Sequence, residues 1–161
     1  INARAESVAD KPAFRSAFRR RRCLVMTDGF YEWTHATNPK VPYFIALKVR
    51  SPFAFAGLWE RWEKDGLALE TCTIIVTEAN DSMKPIHDRM PIILSPEDYG
   101  QWLDAGIHDP AQIQPLLKPC PSEWLQAYPV STAVNNIRND SEQLIRPVPQ
   151  PPTVQQIDLF A

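Results

Sequence analysis

The chain has 161 residues, 44% hydrophobic and 22% charged, with a formal net charge of −2. That allows one sizeable core in a single domain and excludes a globally basic polyanion binder. No apolar run nears the roughly 20 residues that span a bilayer, and the opening residues carry no signal-peptide pattern, so no membrane role is expected.

The charge is unevenly spread. Residues 1–22 hold seven Lys and Arg against two Asp and Glu, while the remainder holds ten against seventeen. Such a gradient points to a local anionic partner. Cys23, Cys72 and Cys120 are odd in number, far apart and outside any CxxC spacing, which fits buried free thiols in a reducing cytosol. No neighbouring group activates any of them as a thiolate. The first residue is Ile1 rather than Met, so a preceding segment is expected.

In chain order, Asp10 and Pro12 open a helix whose apolar face is Phe14, Ala17 and Phe18. Arg19 to Arg22 follow, as a solvated helix end or as a phosphate contact. Short strands are predicted over Arg22–Met26, Gly29–Trp33, Pro42–Val49, Phe53–Trp62 and Leu69–Thr77, with a hairpin loop at Thr34–Lys40 and a tight turn at Lys64-Asp65-Gly66. Lys84-Pro-Ile-His-Asp-Arg-Met-Pro-Ile-Ile-Leu94 reads as a stiff, extended lead-in to a strand, because Pro85 and Pro91 restrict their own φ and the residue before each. A helix is predicted after Ser95, with Ser95 and Asp98 as a capping box and Tyr99, Trp102 and Leu103 as its apolar face. A second helix lies within Asp109–Leu117, a turn at Ser122–Gln126 and a last strand at Val130–Val134. The order predicts an α+β fold, mainly an antiparallel barrel-like sheet with flanking helices. From Pro147 the chain turns proline-rich and predicts an extended tail ending in the apolar Gln156-Ile-Asp-Leu-Phe160-Ala161.

Asn2, Glu32 and His87 stand out as polar residues that interrupt apolar or aromatic stretches. A carboxyl among aromatic rings has its charged form disfavoured, and an imidazole already titrates near neutrality, so Glu32 and His87 form a candidate acid/base pair. Each also has a plain structural reading. Glu32 can face solvent on its strand, and His87 can be a structural histidine satisfied by Asp88 or Arg89. His35 and His108 read as loop residues, and three histidines so scattered make no zinc motif, so no metal or cofactor is expected.

Five segments then carry a resemblance: Asn2-Ala-Arg-Ala-Glu-Ser, Arg22-Cys-Leu-Val with Asp28-Gly-Phe-Tyr-Glu-Trp, Ala56-Gly-Leu-Trp-Glu, Thr77-Glu-Ala-Asn, and Ile86-His-Asp-Arg-Met-Pro. In this order they resemble the SRAP family, the SOS-response-associated peptidase-like proteins that crosslink to abasic DNA. The resemblance runs from the first residue to about Val148, so residues 1–148 are read as one SRAP domain and 149–161 as a tail.

The resemblance implies a specific chemistry. An N-terminal cysteine, exposed by autoproteolytic removal of the initiator Met, captures the aldehyde of an abasic site in single-stranded DNA as a reversible thiazolidine. A weak lyase activity through the Schiff base is implied as well. Asn2 would position the cysteine and sugar, Glu32 would handle protons at the amine, and His87 would shuttle a proton at the sugar oxygen. Arg4 and Arg89 match arginines that grip phosphates, and Trp33 is a candidate to stack on a base; Trp59 is read as core. That cysteine is absent here, so the chain alone is expected to bind DNA and not to crosslink. The implied setting is a monomer in the cytoplasm, at the nucleoid.

The tail segment Gln156-Ile-Asp-Leu-Phe160 resembles the bacterial sliding-clamp-binding peptide, with Gln156, Leu159 and Phe160 as anchors; the plain alternative folds Leu159 and Phe160 onto the body. Two rival functions remain: a cysteine peptidase acting on other proteins, and a non-catalytic single-strand binding module.

Overall fold

A computed structural model describes residues 2–35 and 37–149. The clamp-like peptide at Gln156–Phe160 lies outside them. The architecture is α+β: a curled sheet, few helices, and a second small sheet. The strands are β1 (Asn2–Arg4), β2 (Arg22–Thr27), β3 (Phe30–Trp33), β4 (Pro42–Leu47), β5 (Phe53–Lys64), β6 (Leu67–Glu78), β7 (Arg89–Pro91), β8 (Ile93–Leu94) and β9 (Leu125–Pro129). The short helices are α1 (Arg15–Arg20), α2 (Tyr99–Leu103) and α3 (Pro110–Ile113).

The main sheet runs β1-β6-β5-β2, with β7 on β6 and β8 on β5; β3-β4-β9 form the smaller one. All pairings are antiparallel except β1 on β6. β5 and β6 are joined by the expected two-residue turn, where Asp65 (φ 52°) and Gly66 (φ 79°) take the left-handed backbone that such hairpins need. Alternation along β5 divides the core. Ala56 and Leu58 face a first cluster with Phe18, Ile75 and Trp102, while Phe53 and Phe55 face a second with Met83, Ile86 and Met90. Burying one such side chain contributes about 1.5–3 kcal/mol.

Arg22 fastens the helices to the sheet. It is buried and donates to the carbonyls of Trp102 (2.6 Å), Phe18 (2.8 Å), Arg19 (2.9 Å), Asp104 (2.5 Å) and Ile107 (3.1 Å). Of the two readings of the Arg19–Arg22 run, neither describes Arg22. Its guanidinium satisfies the orphan carbonyls that end α1 and α2, where no intrahelical donor remains.

Several sequence expectations are corrected. α1 begins at Arg15, because Ser7 and Lys11 carbonyls first wind residues 10–15 into turns. Ser95 precedes a short 3₁₀ turn at Pro96–Asp98 but makes no side-chain cap. The last strand is Leu125–Pro129 rather than Val130–Val134, most of which lies in a 3₁₀ turn at Thr132–Asn135 capped by Ser131. Cys72 is exposed rather than buried, and Trp59 is 38% exposed, because the outer halves of β5 and β6 extend past the core. β1 was not foreseen. Asn2–Arg4 is a strand because β6 offers it a free edge.

Candidate active site

The segment that carries His87 is a wound loop, not an extended lead-in. Ala79 N–H donates to Asp88 O (2.9 Å) and closes it, while Ile86 N–H and His87 N–H both donate to Met83 O (2.8 and 2.9 Å). The proline restrictions are met differently: the strand starts only after His87, at Arg89. Asn80 nucleates the turn. Its Oδ1 accepts from Met83 N–H (3.1 Å) and Ser82 Oγ (2.8 Å), and its Nδ2 donates to Cys120 O (2.9 Å). Asn80 ends the Thr77-Glu-Ala-Asn motif, and its role follows from contacts that exist only in the closed loop.

Glu32 arrives from the other sheet. Gly29, at the corner between β2 and β3, packs against the Phe44 ring so closely that a Cβ would overlap it. β3 then runs antiparallel to β4 with Glu32 opposite Tyr43. Beyond β3, His35 N–H donates to Ile86 O (3.1 Å), so the end of β3 and the His87 loop are stitched together by the backbone. Glu32 Oε1 accepts from Trp33 N–H (3.1 Å) and stands 3.9 Å from His87 Nε2. The two side chains are about three-quarters buried. On the other side of the ring, His87 Nδ1 meets both Arg89 N–H (2.9 Å) and Asp88 Oδ1 (3.0 Å); when Nδ1 accepts from Arg89, the proton of the neutral imidazole is on Nε2, facing Glu32. The pair is therefore oriented for proton exchange, and a gap of 3.9 Å suits a bridging atom of a bound molecule.

β1 sets the remaining polar residues by alternation. Ala3 pairs with Ile75 and joins the first core, so Asn2 and Arg4 lie on the opposite face with Ile74 and Val76. Ile74 packs there against the cluster that contains Ile86, the residue before His87. Arg89 makes a two-pronged ion pair with Glu6 (3.0 and 2.8 Å) and donates to Val76 O (2.9 Å). The Arg89 guanidinium, and more weakly Arg4, hold the Glu6 carboxyl below its usual range of 4.5. Arg4, Glu6 and Arg89 thus share one patch, joined to the Glu32–His87 pair through Arg89, which lies two residues after His87 and donates its N–H to that ring. Trp33 is anchored by its indole N–H to Asn135 Oδ1 (2.8 Å). Sequence reasoning missed His35. Its ring lies 3.8 Å, centroid to centroid, from that of His87. Nothing in its loop context signals this, since its partner comes from a distant segment.

The thiols offer no rival centre. Burial pushes the Cys120 thiol up to about 12 and raises that of Cys23, so neither is a ready thiolate. Among the described residues, no cysteine sulfur hydrogen-bonds a histidine, and no helix is long and apolar enough to cross a membrane.

Comparison with known proteins follows the same lines. The model of the family "SOS response associated peptidase (SRAP)" matches residues 1–137. The abasic site processing protein YoqW of Bacillus subtilis (strain 168) is 46% identical over 147 residues, covering 90% of this chain and 66% of that protein. The abasic site processing protein HMCES of Xenopus tropicalis is 34% identical, covering 88% and 48%. A crystal structure of a protein from Bacteroides thetaiotaomicron superposes with a TM-score of 0.84 at 35% identity, over 91% of this chain and 65% of that one. The chain spans about two-thirds or less of these relatives. The family model spans most of the chain and these relatives exceed 30% identity over it, and the chain belongs to the SRAP family.

Proposed function

We propose that this protein processes abasic sites in single-stranded DNA, by capturing the ring-opened sugar aldehyde on a terminal cysteine. The observation that carries this reading is the approach of Glu32 to His87 (3.9 Å), with Arg89, the partner of Glu6, bonded through its N–H to the same imidazole. The aldehyde carbon is attacked by an amine, and the carbinolamine loses water to give a Schiff base. A thiol then adds to that carbon while the nitrogen takes up its proton, closing a thiazolidine.

Every step moves a proton at one spot, and a carboxyl and an imidazole held together supply both donor and acceptor. Glu32 takes and returns the amine proton. His87, with its Nε2 proton aimed inward, serves the sugar oxygen as the ring opens and recloses. Asn2 orients the reacting groups, while Arg4 and Arg89 face the flanking phosphates and Trp33 the base. The reading requires a cysteine at a chain terminus, and Cys23, Cys72 and Cys120 are internal.

The test uses the full-length protein with abasic, intact and double-stranded oligonucleotides. A heat-stable adduct with abasic single strands alone supports the reading. Glu32→Gln and His87→Ala should each slow its formation about a hundredfold, the usual scale for losing one proton-transfer group, while retaining DNA binding. Crosslinking at the wild-type rate in both variants overturns it. Salt-sensitive binding to every single strand would instead indicate a plain binding module, and cleavage of peptides without DNA a peptidase.

The segment Gln156-Ile-Asp-Leu-Phe160 fits the same setting as a tethered peptide that docks on a sliding clamp near replicating DNA. A Thr153–Ala161 peptide should bind the clamp, and unchanged binding after Leu159→Ala and Phe160→Ala removes the assignment.

A further inference from the structure

The outer side of the His87 ring holds three metal-ligand atoms. His87 Nδ1 lies 3.0 Å from Asp88 Oδ1, and His35 Nδ1 lies 3.8 Å from the same oxygen. Ligand atoms of the three residues all fall within 4.8 Å of one another. A tetrahedral ion with bonds of about 2.0–2.2 Å holds its ligands roughly 3.3–3.6 Å apart, so little movement closes this set. The placement is built by the backbone rather than by chance rotamers, because His35 N–H to Ile86 O (3.1 Å) locks the two loops in register.

The local hydrogen bonding favours a cation. Nδ1 of His87 has a single lone pair, and Arg89 N–H already points at it (2.9 Å). The Asp88 carboxylate nevertheless sits 3.0 Å from that same nitrogen. Two acceptors facing each other so closely want a positive charge between them, either a ring proton or a metal ion. With His35 as the third donor, half-exposed and open to solvent, an ion has both an entry path and a nitrogen that a proton would leave unused.

We infer that His35, His87 and Asp88 form a binding site for a divalent first-row transition metal ion, best suited to Zn²⁺. Two imidazoles and one carboxylate select such ions over Ca²⁺ or Mg²⁺, which prefer all-oxygen sites. Three protein ligands leave a fourth position for water. Coordination at Nδ1 displaces the Arg89 N–H and fixes the ring proton on Nε2. Glu32 then becomes the outer carboxylate of a carboxylate–histidine–metal array. Sequence spacing concealed the site, since His35 and His87 belong to different sheets' loops.

The test is Zn²⁺ titration by calorimetry in a non-coordinating buffer, with Co²⁺ absorption as a second readout. It is independent of the abasic-site reading, because no DNA or activity enters it. One equivalent should bind, and His35→Ala and Asp88→Asn should each weaken binding about tenfold or more, the scale on which metal-site groups act. His108→Ala, a histidine outside the cluster, should change nothing. Thermal melting of each variant controls for folding. In the wild type, imidazole nitrogen NMR should move the Nδ1 signals of both His35 and His87 on adding Zn²⁺. Binding no tighter than in the two cluster variants, equal loss in His108→Ala, or unmoved Nδ1 signals would each overturn the assignment.

Discussion

Two arginines tie this molecule together, and they do so in opposite ways. Arg22, at the seam of α1, α2 and β2, is buried and spends its donors on five backbone carbonyls. Arg89, at the edge of β7, donates to one carbonyl and otherwise pairs with Glu6, whose side chain is 49% exposed. Carbonyls at helix ends have nowhere else to turn, so the first arrangement is permanent. A half-exposed carboxylate can rehydrate and yield its arginine to a phosphate, so the second can be exchanged. The buried Nε of Arg89, without a partner among the described residues, marks a guanidinium that is not fully committed. Being surrounded by partners therefore does not make an arginine structural; the solvent access of those partners decides it.

The sharpest way to break this contrast is at Arg22. Arg22→Ala orphans several buried carbonyls, each costing about 1–3 kcal/mol, so a loss of at least about 3 kcal/mol is expected. Arg22→Lys should recover little, because one ammonium cannot span carbonyls on both helices. Urea unfolding at constant slope measures both. A lysine variant within about 0.5 kcal/mol of wild type would mean that charge alone holds the seam.

Arg89→Ala should cost only about 1 kcal/mol of stability, as exposed pairs do, yet weaken single-strand binding and lower its salt slope by about one charge. A destabilisation as large as that of Arg22→Ala would make the two arginines alike, and unchanged single-strand binding would remove Arg89 from the proposed phosphate contacts.

The difference between these residues also explains what the sequence concealed. The strands β2 to β6 were readable from apolar runs and turn residues, because local pattern decides them. The tight Asp65-Gly66 turn is such a case. Glu32 and His87 were readable as polar interruptions within recognisable motifs. Arg22 was not, since three of the five carbonyls it satisfies, those of Trp102, Asp104 and Ile107, lie far along the chain. β1 was too short to carry a period and exists only because β6 pairs with it. His35 was passed over because its meaning lies in a ring contributed by another loop. In each miss the deciding partner is distant in sequence.

The Glu6–Arg89 pair has a pH signature. Arg89 lowers the Glu6 pKa, so its contribution is fully present above the unfolded value of 4.5 and is lost as pH falls through the lower folded value. Exposure keeps the effect well under about 1 kcal/mol at physiological salt. Stability measured downward from pH 5 should fall less steeply in Glu6→Gln than in wild type, and high salt should shrink the gap. A gap that salt leaves untouched would mean the pair is more closed to solvent than the 49% exposure of the Glu6 side chain implies.

The gentlest probe is thiol reactivity, which leaves the fold intact. Cys23 follows Arg22 on β2, and burial, then Cys72, raise its thiol pKa. Cys120 is pushed up to about 12 by burial. Cys72 is exposed on the outer half of β6. Alkylation at pH 8 should therefore label Cys72 first, with Cys23 and Cys120 slow until urea opens the chain, as mass spectrometry of peptides would read. Arg22→Ala should speed Cys23 selectively, because the α1–α2 seam packs on β2 and its loss loosens the strand whose opposite face carries the thiol, beside Val25 and Gly57. Arg89→Ala should not, because its loosened edge is on β7. Equal acceleration in both variants would show that the two arginines guard one cooperative unit instead of one permanent seam and one exchangeable edge.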